Sequence, residues 1–258
     1  MRSFKALALA TVASVLLAGS LQAQWIGQSK WAGVNGASSR YSSGAGGSGT
    51  QWNVYTSPYF AQFKVTSGSS TLLPPPAGST TWGPVVDIFC VDFTHRANTS
   101  SGGYNAFFTN LASTSTDLAK TRLGASGLWK YLAAAFLAQK IRAEPSLGTV
   151  AARDMNGAIW QIISGNPIYR YTGTAWDRAG IDSWVSQATT GGGWASVNPA
   201  DWVVVTDQAS FNPDGSYNGN GSQEYLTQVT PEPATMLLLG TGLVVMLMAA
   251  GALRRPTV

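Results

Sequence analysis

Two periodicities divide the chain. Within residues 51–66, Trp52, Val54, Tyr55, Tyr59, Phe60, Phe63 and Val65 alternate imperfectly, which predicts strands interrupted at Pro58. Residues 85–94 (VVDIFCVDFT) are dense in β-branched and aromatic side chains and predict a strand. The pattern then changes. Leu118, Leu123, Leu128, Tyr131, Leu132, Ala135, Phe136 and Ile141 fit a helical period over 116–142, with Gly124 and Gly127 dividing it in two and Pro145 ending the second part. Val150, Ala151, Met155, Ala158, Ile159 and Ile162 predict a second helical stretch over 147–163, closed by Gly165-Asn166-Pro167. A shorter helix over 177–188 has Ile181, Trp184 and Val185 on one side. Strands return at 202–206 (WVVVT) and 224–229. Gly/Ser-rich residues 36–50 read as a flexible loop or arm, and Pro74-Pro75-Pro76 as a stiff turn. The fold class is therefore α+β: one domain of strands with a helical block at about 116–188. No internal repeat is visible.

The two ends follow different rules. Arg2 and Lys5 precede an apolar stretch, Ala6 to Gly19, and Ser20-Leu21-Gln22-Ala23 places a small residue before Gln24. That is the pattern of a secretory signal peptide over 1–23, cut between Ala23 and Gln24. At the other end, Pro231-Glu232-Pro233 is followed by an uncharged run of 20 residues, Ala234 to Leu253, and then Arg254-Arg255. The run is long enough to cross a bilayer as a helix, and the arginine pair marks its cytoplasmic end.

Setting these ends aside changes the charge picture. The chain has 16 Lys+Arg and 12 Asp+Glu; Arg2, Lys5, Arg254, Arg255 and Glu232 lie in the ends. Residues 24–230 thus keep 12 basic and 11 acidic groups, a net charge of +1. Without a basic cluster, no nucleic-acid partner follows. This segment is long enough for one domain with a full core, and its richness in Gly, Ser, Thr, Asn and Trp suits an extracellular protein. The single cysteine, Cys90, cannot form an intramolecular disulfide, so it is a buried inert thiol, half of an intermolecular bond, or chemically special.

The C-terminal arrangement resembles the PEP-CTERM protein-sorting signal over 231–258, with a transmembrane helix at 234–253. The resemblance implies recognition of Pro231, Glu232 and Pro233 by an exosortase, transient anchoring in the inner membrane with Arg254 and Arg255 inside, and a host that makes extracellular polysaccharide. Two prolines hold the motif extended and outside the membrane helix. A second resemblance rests on Phe89-Cys90-Val91-Asp92 and on Asn156-Gly157-Ala158-Ile159-Trp160-Gln161. It is similar to the thioester-domain family of bacterial surface proteins, which carry an aromatic-Cys-aliphatic-Asp element on a strand and a Gln-x-Ala-Ile-Trp element on a helix. That family joins the Cys sulfur to the Gln carbonyl with loss of ammonia, and the bond then captures an amine. Here Asn156 stands at the Gln position, one methylene shorter, while Gln161 is the other nearby amide. Five positions apart on a helix, the two project about 140° from each other, so they cannot both face Cys90.

Other chemistry is weaker. His95 is the sole histidine; on a straight strand it points away from Cys90, with Asp92 rather than Asp87 on the cysteine's face. One Cys and one His cannot supply a usual zinc set. Asp214-x-Ser216-x-Asn218-Gly219-Asn220 resembles the start of a calcium loop, but position 12 is Tyr225 and Glu224 is one short, so a polar turn is the simpler reading. No phosphate-binding loop or serine nucleophile elbow occurs, and paired carboxylates acting on polysaccharide are left as an alternative. Trp129, Trp160 and Trp184 are expected in the core; Trp25, Trp31, Trp82, Trp176 and Trp194 are candidates for exposure and glycan contact. The expectation is an exported envelope or matrix protein, structural or adhesive, needing no cofactor or metal and linked to exopolysaccharide or biofilm; the alternatives are a covalent thioester adhesin and a polysaccharide-acting enzyme.

Overall fold

The computed structural model describes residues 25–34, 36–67, 78 and 80–229. The leader 1–23 with Ala23 and Gln24, the Pro74–Pro76 turn, and the sorting residues Pro231, Glu232, Pro233, Arg254 and Arg255 with the span 234–253 lie outside the described residues. Among the described residues, no helix is long and apolar enough to cross a membrane.

The strands close into a barrel. Its members are β1 (Trp25–Val34), β4 (Tyr59–Ser67), β5 (Val85–Cys90), β6 (Tyr104–Asn110), β9 (Trp202–Asp207) and β10 (Tyr225–Gln228), in the order β1-β4-β5-β10-β9-β6. All pairings are antiparallel. Register explains the interior. Trp25 pairs with Phe108, Ser29 with Phe63, Tyr59 with Ile88, Cys90 with Tyr225 and Tyr225 with Val205, so these side chains share the inner face. Closure removes the sheet edges that six strands would otherwise present.

A second sheet, in the order β3-β2-β7-β8, contains β2 (Ser38–Ser42), β3 (Gln51–Tyr55), β7 (Tyr169–Tyr171) and β8 (Trp176–Asp177). The expected 36–50 arm is therefore partly structured: residues 38–42 form β2, and Tyr41 is fully buried. Its ring packs edge-on against Trp160 at 4.8 Å and its hydroxyl donates to the Arg153 carbonyl. Low side-chain hydrophobicity hid a segment that pairs with β3 and β7 and buries one tyrosine.

The helical block has four α-helices among the described residues: α1 (Ser115–Leu118), α2 (Leu128–Ala143), α3 (Val150–Ser164) and α4 (Ala179–Ala188). Gly124 and Gly127 do break the first stretch; Gly124 has φ 62°, which favours glycine. Thr149 caps α3 by accepting from the Ala152 N–H, and Gly165 ends it at φ 75°. Helix α2 buries Tyr131, Leu132, Ala133, Ala134, Ala135, Leu137, Ala138 and Ile141, so it is enclosed on more than one side. The strand expected to run to Thr94 stops at Cys90, and β1 and β6 are additional strands. Trp25, taken as a candidate for exposure, fills the barrel, whereas Trp129, expected in the core, is 43% exposed.

Candidate functional site

The strand element and the helix element quoted above meet at the end of the barrel. Asn156 and Trp160 are four residues apart on α3 and so lie on one face. Trp160 Nε1 donates to the Cys90 carbonyl at 3.1 Å. Asn156 Oδ1 accepts from the Ser57 N–H at 2.9 Å, and Ser57 Oγ accepts from the Cys90 N–H at 3.0 Å. Ser57 therefore bridges the cysteine strand and the asparagine helix. It precedes Pro58 across a cis peptide bond. Sequence reasoning missed Ser57; its only signal was its place beside the proline that separates β3 from β4.

All of these groups are closed off from water. Cys90, Asn156 and Ser57 have no measurable exposure. The Cys90 thiol donates to the Asp92 carbonyl at 3.2 Å, and burial pushes its pKa well up, with the nearby Asp92 charge adding to the effect. Both polar atoms of the Asn156 carboxamide have a partner, since its nitrogen donates to the Ala152 carbonyl at 2.9 Å. Gln161 is elsewhere. Its nitrogen donates to Asp182 and its oxygen accepts from the Ile168 N–H, so the second candidate amide is not brought to Cys90.

Past Cys90 the chain turns. Thr94 donates through both N–H and Oγ to Asp92 Oδ1, at 3.0 and 2.6 Å. That Asx-type turn folds His95 back onto Asp92, with Nδ1 2.6 Å from Oδ2, while Nε2 donates to the Gly219 carbonyl at 2.9 Å. Imidazole and thiol thus engage different groups of Asp92, its carboxylate and its backbone carbonyl, and no Cys/His pair forms. Arg122 completes the Asp92 cluster at 2.5 Å and donates to Tyr217. Glu224, weighed as a near-miss calcium ligand, is buried: Oε1 accepts from the Arg122 N–H and Thr206 Oγ, and Oε2 from Tyr131 Oη. Desolvation raises its pKa. Asp214 instead accepts from the Ser216 N–H and Oγ in a turn of its own. No group of three or more His, Cys, Asp or Glu fit to hold a metal occurs among the described residues. Glu224 thereby ties the end of the 208–224 loop to α2 through Tyr131.

Two clefts flank the 93–95 turn. One, of about 290 Å³, is lined by Asp92, His95, Arg122, Tyr217 and Glu224. The other, of about 420 Å³, is lined largely by Trp31, Trp52, Tyr55, Tyr59 and Phe93.

Residues 229–255 match the family model of the PEP-CTERM protein-sorting motif. The chain carries that sorting motif at its C-terminal end. A PEP-CTERM motif is what an exosortase recognises, so the protein is exported and sorted, in association with the membrane, toward the cell envelope. The match begins at residue 229, just past the end of β10 at Gln228, and describes the address of this PEP-CTERM protein, not its barrel. No curated protein and no solved structure matches the chain.

Proposed function

We propose that this PEP-CTERM protein is a non-catalytic structural or adhesive component of the cell envelope or extracellular matrix, linked to exopolysaccharide or biofilm. The observation that carries this reading is the saturation of the site. Cys90, Ser57, Asn156 and Trp160 are linked to one another inside the core, the Cys90 thiol and the Asn156 nitrogen have backbone carbonyls as partners, and the thiol is held protonated by burial. A nucleophile in use needs an adjacent base or a lowered pKa; Cys90 has neither. The leader over 1–23 directs export, the exosortase acts near Pro231-Glu232-Pro233, and residues 24–230 are the released or transferred product. When the chain is co-produced with its exosortase, Glu232→Ala should accumulate as the unprocessed form; normal processing of that variant would remove the motif's role.

A covalent adhesin is the second reading, favoured by one observation: Ser57 holds the Cys90 backbone and the Asn156 carboxamide side by side. Attack of the sulfur on the Asn156 carbonyl would form the thioester and release ammonia, with the thiol proton leaving on the nitrogen. Intact mass decides between the two. The non-catalytic reading expects the mass of the plain sequence, unchanged by methylamine. A mass short by one ammonia, restored and increased by methylamine and absent in Cys90→Ala, would establish the thioester instead.

A further inference from the structure

The aromatic cleft is unused by anything above, and its make-up is uneven. Along one wall Trp31 tilts against Tyr59, centroids 5.0 Å apart at 51°, and Trp52 meets Phe93 edge-on at 4.7 Å and 80°. Tyr59 and Phe93 are buried; Trp31 and Trp52 are half-buried, and Tyr55 is 50% exposed. Their buried partners hold the tryptophan rings in place, so these open faces are already ordered before any ligand arrives. The same lining also carries polar residues, Thr94, His95, Arg96 and Gln223.

Arg96 is the informative residue. Arg122, Arg142, Arg170 and Arg178 each pair with a carboxylate. Arg96 is exposed, and its side chain makes no ion pair or hydrogen bond among the described residues; only its backbone carbonyl is used, by the Gln223 N–H. A guanidinium with no partner among the described residues, lining the same cleft as these aromatic rings, suits a ligand with an apolar face and an anionic group at its rim. A uronic-acid sugar has that form: ring C–H bonds on one face, hydroxyls at the edge and a carboxylate that a guanidinium grips with two parallel hydrogen bonds. The cleft volume, about 420 Å³, lies in the ordinary range for small ligands. An extended peptide would depend instead on the β3 edge of the second sheet, only five residues long.

We propose that the cleft between β3 and the mouth of the barrel binds an acidic saccharide, with Trp31, Trp52 and Tyr55 against the sugar faces and Arg96 on a carboxylate. The proposal deepens the matrix reading by naming the chemistry of its polysaccharide. It is tested on isolated protein, so it can fail while sorting and a structural role stand.

The test is calorimetric titration of the full chain in neutral detergent micelles with an oligogalacturonate, against an uncharged oligoglucoside of equal length. Tyr55→Ala and Arg96→Ala are the variants, because neither side chain has a hydrogen-bond partner among the described residues. Expected are saturable binding of the oligogalacturonate that weakens with added salt, and a loss of about tenfold in each variant. Arg96→Ala should also erase the preference for the acidic sugar. Absence of saturable binding, or equal binding in wild type and both variants, overturns the proposal. So does binding of an extended aromatic peptide, sensitive to Tyr55→Ala, with none of the oligogalacturonate; that would assign the cleft to strand addition.

Discussion

Asn156 offers the sharpest test of how the central cluster is built. In Asn156→Ala the Ser57 N–H loses its acceptor in a site with no water access. An orphaned buried donor costs about 1–3 kcal/mol, and the vacated carboxamide volume adds about 1 kcal/mol. The Ala152 carbonyl is less affected, because it also lies in the helical ladder. The sum is about 3 kcal/mol, which for a domain of this size lowers Tm by about 6–12 °C. Asn156→Asp keeps the shape but changes the chemistry. One oxygen still accepts from Ser57, while the other faces the Ala152 carbonyl, where only a protonated carboxyl can donate. Burial and that carbonyl raise the new group's folded pKa above its unfolded value of about 3.9. The folded state then holds a proton that the unfolded chain has released, so stability falls as pH rises through the raised value and is regained toward about pH 4. Thermal melts of wild type and both variants at about pH 7 and pH 4.5 measure this. An alanine variant within about 2 °C of wild type, or an aspartate variant whose deficit does not shrink at the lower pH, would refute the reasoning.

Two further outcomes follow from buried charges. Tyr131→Phe removes the hydroxyl that donates to Glu224 and accepts from the Leu123 N–H; it should cost about 2–3 kcal/mol near pH 7. Because Glu224 already has a raised folded pKa, the variant's deficit should narrow as pH falls below that value and the carboxyl becomes neutral, as pH-dependent urea titrations would register. In Gly180→Ala the added Cβ would sit 2.1 Å from Asp154 Oδ2 and push it from Arg170, whose Nε lies 2.6 Å from Oδ1. Disrupting that buried pair should cost about 3 kcal/mol in the same titration, and an unaffected midpoint would show that the carboxylate can step aside freely.

Much of the fold is legible in the sequence. The helix breaks at Gly124 and Gly127, the stop at Gly165 and the strands after 201 follow from local propensity and capping, which operate within a few residues. The four-residue spacing of Asn156 and Trp160 likewise put both on one helical face. The sorting motif was readable for the same reason: a proline-flanked acid, an apolar run and a basic tip are linear features. What depended on distant partners was not. Whether Trp25 or Trp129 is buried turns on which surfaces the barrel and helices cover, and those surfaces come from residues far apart in sequence. Barrel closure, the burial of Tyr41 within a Gly/Ser-rich stretch, and the turn that gives His95 to Asp92 rather than to Cys90 are all of this kind. So is the joining of Cys90 to Asn156 through Ser57, and the collection of Trp31, Trp52 and Tyr55 in one cleft with Arg96. Sequence by itself determined the local elements and the address, because short-range sterics and hydrophobicity act along the chain. Tertiary structure decided which polar groups are satisfied and which are left facing a cleft, because hydrogen-bond saturation and desolvation depend on neighbours that only the completed fold brings together.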